Sequence, residues 1–211
     1  MANSLLDGAC RITDIPARVK ECGQEAVAIT DHGVMYGAVA FWQACRNAGV
    51  KPIIGCEVYV AHSSRFEKTA GADGYADHLV LLCENNEGYR NLSEMVSRSF
   101  TEGFYNKPRV DEELLRRYHG GLIALSACLG GKIPKQLAKG NYKGAKETAL
   151  RYAEIFGPEH FYIEIQDHGL AEQRTMLPML VDLAKDCDLP LVATNDCHYL
   201  RRRDAKMILV Q

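Results

Sequence analysis

The chain has 211 residues, 47% of them apolar and 25% charged, with a formal net charge of −2. That composition excludes a disordered or low-complexity chain and suits one soluble domain with a sizeable core. The charge gives no long-range pull on nucleic acid, so any DNA contact has to be local or supplied by another part of a larger protein. No apolar run approaches the roughly 18 residues of a membrane helix, and the first residues lack the pattern of a signal peptide. A cytoplasmic location and no membrane partner are expected. Eight cysteines are scattered singly without a CxxC pair, which reads as small buried hydrophobes rather than a disulfide framework.

In chain order, strand and helix patterns alternate, the signature of parallel βα units. Residues 13–21 predict a short helix with Thr13 as its cap, Pro16 in its first turn and Gly23 beyond its end. The strand 26–29 follows, then a helix over 37–48 with Gly49 as its stop, then a strand over 52–61. Past a Gly-rich loop at 69–76, residues 78–83 form an apolar run of strand length, and Tyr89, Leu92, Met95, Val96 and Phe100 recur at helical spacing. A helix over 111–118 leads to a strand over 122–127. Another helix, with Ala145, Ala149, Tyr152, Ala153 and Phe156 on one face, leads to a strand over 161–165. The last unit is a helix over 176–187, which Pro178 should kink or begin, and a strand over 189–194. No linker composition divides the chain, so a single domain over 1–211 is expected.

Seven side chains able to bind metal lie in or beside these strand runs: Asp7, His32, Glu57, His78, Cys128, Asp196 and His198. Donors so far apart in sequence meet only where a barrel gathers its strand ends, which points to a metal-dependent phosphoesterase-like site. Each motif has a plainer reading. Thr30-Asp31-His32-Gly33 suits either a hydrogen-bonded turn or a ligand with a carboxylate neighbour orienting it. Glu57, inside a run where burial has to be compensated, binds a cation or pairs with one. His78 could be a satisfied core histidine, and Cys128 an inert buried thiol. Asp196 and His198, two apart in extended chain, project to one side and could grip one metal, or merely form a polar strand end.

Ordered blocks of this sequence resemble the PHP (polymerase and histidinol phosphatase) domains of bacterial replicative polymerase alpha subunits. They are SLLDG from Ser4, TDHGVMYG from Thr30, KPIIGCEVYVA from Lys51, HLVLLCENNEGYRNL from His78, GLIALSACLGG from Gly121 and LPLVATNDCHYL from Leu189. Glu102-Gly103-Phe104-Tyr105, Lys107-Pro108-Arg109-Val110 and Gln166-Asp167-His168-Gly169 resemble the polymerase branch rather than free-standing histidinol phosphatases. The resemblance implies an α/β fold, a distorted seven-stranded (β/α) barrel whose strand ends hold up to three zinc or manganese ions. It implies Asp7, His32, Glu57, His78, Cys128, Asp196 and His198 as ligands, with Asp31 behind them, and attack of a metal-activated water on a phosphodiester, as in a 3′–5′ exonuclease. The implied partners are DNA, by way of the parent polymerase, and the other polymerase III subunits.

The family opens on a His-x-His motif about a dozen residues before the position of Asp7, and here Met1 stands six residues before it. The first strand is therefore expected to be missing, with metal occupancy partial or absent, the barrel open and the chain prone to homodimerise. The abrupt ends predict a piece of a larger polymerase subunit. Three functions stay open: a proofreading phosphoesterase module, a structural and partner-binding module of the polymerase, and a free-standing phosphatase.

Overall fold

A computed structural model describes residues 3–4, 8–69 and 76–207. Its elements are α1 (Ile15–Glu21), β1 (Ala26–Ile29), α2 (Ala38–Ala48), β2 (Lys51–Val60), β3 (Asp77–Cys83), α3 (Asn86–Thr101), β4 (Arg109–Val110), α4 (Glu112–Tyr118), β5 (Leu122–Leu125), α5 (Lys132–Ala138), α6 (Tyr142–Phe156), β6 (Phe161–Ile165), α7 (Ala171–Cys187) and β7 (Leu191–Ala193). A 3-10 turn at Arg202–Met207 follows.

Helices α3, α4 and α6 begin where a side chain satisfies a loose backbone amide. Asn85 accepts from the amides of Glu87 and Gly88 to start α3, and Asp111 accepts from Leu114 N to start α4. Gly49, at φ 69°, closes α2 in the left-handed region that glycine enters freely. The expected cap of α1 is displaced by one residue. Asp14 holds the cap position without a side-chain bond into the helix, and Thr13 Oγ1 is instead 3.1 Å from the Asp14 carboxylate. Helix α7 starts at Ala171, five residues earlier than its apolar pattern suggests, and carries Pro178 in its interior rather than in its first turn.

The sheet runs β1-β2-β3-β5-β6-β7, with β4 paired to β2. Pairs β1–β2, β5–β6 and β6–β7 are parallel, as the alternating pattern predicts. Strand β3 departs from it, lying antiparallel to both β2 and β5. A parallel return needs a crossover, usually a helix, and none is present among the described residues between β2 and β3, so the chain doubles back. This reversal decides where His78 sits. As the second residue of a reversed strand, it reaches the rim at which the parallel strands β1, β5, β6 and β7 end.

Side chains alternate across the sheet. One set faces the helices: Cys56, Val58 and Val60 of β2, Leu79 and Leu81 of β3, Leu122 and Ala124 of β5, and Phe161 and Ile163 of β6, all packed in one large core with α3 to α7. The opposite set turns inward. Val80, Leu82, Ile123, Leu125, Tyr162 and Val192 form the floor of a cavity of about 700 Å³, whose upper wall carries Glu57, Glu164 and Asp196. The sheet thus wraps a barrel interior. Among the described residues it does not close, because β1 pairs only with β2 and β7 only with β6, in agreement with an α/β barrel lacking one strand. Leu191, at the open edge, is 40% exposed.

Candidate metal centre

The pairing of β1 with β2 continues past Ile29 as an isolated bridge between His32 and Glu57. Glu57 N donates to Asp31 O at 3.1 Å, and Gly33 N donates to Glu57 O at 2.9 Å. These bonds set the His32 ring against the Glu57 carboxylate. On the other side of β2, Tyr59 faces His78 in register, so His78 is the diagonal neighbour of Glu57 on the inner face. Residue 78 is anchored in turn by its amide, which donates to Gly130 O at 3.0 Å.

The result is a convergence on one oxygen. Glu57 Oε1 lies 2.7 Å from His78 Nδ1 and 2.9 Å from His32 Nδ1, with the Glu57 side chain 3% exposed. Yet this oxygen accepts no hydrogen bond of acceptable geometry. The contacts are close but misaligned, and the two imidazoles still favour the charged carboxylate, first through the short N–O approaches and then through ring charge. Burial alone would raise the pKa of Glu57, and the two rings outweigh it, holding it at about 2.

Cys128 completes the group. Its Sγ is 3.9 Å from His78 Nδ1, and it takes the Gly130 amide at 3.4 Å. Donor atoms of Glu57, His78 and Cys128 all lie within 4.8 Å of one another. Burial, aided by the charge of Glu57, pushes the thiol up to about 12, so without a cation it keeps its proton. A buried carboxylate oxygen with misaligned neighbours, an imidazole and a thiol match the donor set of a borderline divalent ion such as zinc.

Asp196 and His198 approach from the end of β7. The ring centroids of His198 and His32 are 6.1 Å apart, as are those of His32 and His78. His198 Nδ1 sits 2.8 Å from Asp196 O, a bond that, with the ring nitrogen donating, leaves Nε2 as the lone-pair nitrogen. Burial raises the Asp196 carboxyl. Two non-glycine residues here hold the left-handed conformation, Ala127 at φ 65° and Asp196 at φ 40°. Such backbone is costly and collects where geometry is imposed by a site.

Asp31 is buried, and its carboxylate takes the Asn3 amide at 3.0 Å and Ser4 Oγ at 3.4 Å, while Ser4 Oγ receives His32 N at 3.0 Å. Its side chain thereby ties the amino-terminal segment to the backbone of His32. Asp7 lies outside the described residues.

One carboxylate escaped the sequence reading. Glu164, 4% exposed, accepts from Thr194 Oγ1 and from Gln166 Nε2 through one oxygen, and its Oε2 has no hydrogen-bond partner. Burial raises its pKa. The signal that singles out Glu57, an acid inside an apolar strand, is equally present in Phe161-Tyr162-Ile163-Glu164-Ile165.

A family model described as the PHP domain matches residues 2–168, and the chain belongs to that family. It is 47% identical over 205 residues to a DNA polymerase III subunit alpha of Treponema pallidum, covering 96% of this chain and 17% of that protein. It is likewise 47% identical over 207 residues to the subunit of Thermus aquaticus, covering 96% and 17%. The chain thus spans about a sixth of the length of the curated relatives it matches. Among solved structures, a putative metal-dependent phosphoesterase from Bifidobacterium adolescentis aligns with TM-score 0.55 at 13% identity over 97% of this chain and 92% of that one. An amidohydrolase from Chromobacterium violaceum aligns with TM-score 0.54 at 14% identity, covering 97% and 87%. At such identities these two attest the fold.

Proposed function

We propose that this chain is the metal-dependent phosphoesterase domain of a replicative DNA polymerase alpha subunit, acting on DNA ends in the 3′–5′ sense. The observation that carries this reading is the convergence of Glu57, His78 and Cys128, with His32 on the same carboxylate oxygen. Zinc or manganese is the proposed ion, with up to three per site. The proposed ligands are Asp7, His32, Glu57, His78, Cys128, Asp196 and His198. A divalent ion held there would supply Lewis acidity toward a phosphoryl oxygen.

The chain's own groups do the rest. Glu57 brings a charge that stays ionised across the neutral range. His32 and His78 are held by strand pairing, so their rings need little reorganisation to bind. Cys128 has to give up its proton on binding, which makes loading pH-dependent. The Asp196 carbonyl fixes the tautomer of His198. Polymerisation, if the parent carries it, belongs to the remaining length of such subunits, and the partners proposed are DNA and other polymerase III subunits.

Among the described residues β1 and β7 each have one edge without a partner strand, which supports self-association through strand pairing; a strictly monomeric species in sedimentation would count against it. No helix among the described residues is long and apolar enough to cross a membrane, and a cytoplasmic location is proposed. The direct test is incubation of the metal-loaded chain with 5′-labelled single-stranded DNA. Shortening from the 3′ end that a chelator abolishes supports the enzyme reading. Stoichiometric metal without cleavage favours the structural and partner-binding module instead.

A further inference from the structure

We propose that Lys107 is the phosphate anchor of this site, engaging a backbone phosphate of the strand whose reacting phosphodiester lies at Glu57, His78 and Cys128. The inference rests on the phosphoesterase reading and adds to it the group that would hold the substrate.

Lys107 Nζ lies 4.2 Å from the centre of the Tyr59 ring, and that ring meets His78 edge-on at 5.2 Å and stacks against His32 at 6.3 Å. The ammonium therefore stands one aromatic ring away from both imidazoles. Among the described residues it forms no ion pair, although most of the other basic side chains near β2 and β3 are committed. Arg65 is bound to Asp111, Glu102 and Glu113, Lys135 is bound to Asp77, and Arg109 is buried on the carbonyls of Gly103, Arg65 and Glu67.

Its placement is built into the backbone. Asn106 adopts φ 59°, and Tyr105 N donates to Lys107 O at 3.1 Å, a reverse turn that presents Lys107 just before β4. The turn is locked to the metal-site loop, since a Cβ on Gly33 would stand 2.8 Å from Pro108 Cγ and 3.2 Å from Tyr59. An exposed ammonium over a ring keeps its charge for a second ligand, because the cation–π contact uses the ring face without neutralising the charge. A point cation beside a divalent-ion site suits a polyanionic strand, whose successive phosphates can meet the metal and the lysine together.

The test compares the full chain with Lys107→Met and Lys107→Arg, measuring metal content by elemental analysis and affinity for a fluorescein-labelled single-stranded oligonucleotide by anisotropy across a salt series. Lys107→Met is expected to keep the metal content and bind about tenfold more weakly. Its log–log salt slope should be shallower by about 0.7, the value of one phosphate contact on a single strand. Lys107→Arg should restore both. Equal metal content with unchanged affinity and slope in Lys107→Met overturns the anchor and leaves the metal site standing. A wild-type chain that takes up no metal overturns the phosphoesterase reading, and the anchor with it.

Discussion

Glu57 Oε1 stands 2.7 Å from His78 Nδ1, although the two residues come from strands that run in opposite directions. The contact exists because β3 is reversed, which brings His78 to the rim that also carries His32, Glu164 and Asp196. Since the carboxyl is held at about 2 against an ordinary 4.5, it contributes stability that is present above 4.5 and lost as the pH falls through 2. For the metal-free protein, the wild-type advantage over Glu57→Gln should reach about 3 kcal/mol near neutrality and disappear toward pH 2. Urea unfolding at a series of pH values checks this, and an advantage that is constant with pH would rule it out.

Gly130 is a steric requirement of the site. A Cβ there would lie 2.8 Å from His78 Nδ1 and 3.0 Å from its Cε1. Gly130→Ala is expected to displace the imidazole and weaken metal binding about tenfold, within the range seen when the groups that orient a ligand are lost. Competition against a fluorescent chelator measures the affinity, and thermal unfolding of the metal-free form should change little. An unaltered affinity would show that the ring can give way without cost.

Glu164 offers the opposite sign. Burial raises its pKa, so whatever stability it brings is complete below 4.5 and is lost as the pH rises through the folded-state value. In the ionised form Oε2 stays buried without a donor. Glu164→Gln should therefore stabilise the metal-free chain by about 1 kcal/mol near pH 7, with the gain vanishing in acid. A loss of stability at pH 7 would mean that the charge has a partner in solution.

Much of this architecture is legible in the sequence because period-2 and period-3.6 patterns dominate it. Leu79 and Leu81 facing the helices, and His78, Val80 and Leu82 facing the cavity, follow from alternation alone. Strand β4, at two residues, is too short for any period to emerge, and the seven-residue α5 lacks the side-chain cap of α4 and carries Pro134 within it. The reversal of β3 is hidden for another reason: direction is set by the connection, and a strand reads alike both ways. That is why His78, which opens an apolar run, gives no sign that it shares a rim with Cys128, Asp196 and His198, which follow the ends of theirs. The proximity of Glu57, His78 and Cys128 needs the sheet order β2-β3-β5, which no local pattern carries.

The most direct measurement is the absorption spectrum of the cobalt-loaded chain and of Cys128→Ser and His78→Ala. If Glu57, His78 and Cys128 share one ion, the wild-type chain shows a thiolate-to-cobalt charge-transfer band that Cys128→Ser abolishes and His78→Ala weakens together with metal affinity. Cobalt bound without that band, or a band indifferent to both substitutions, would contradict a metal centre at these residues.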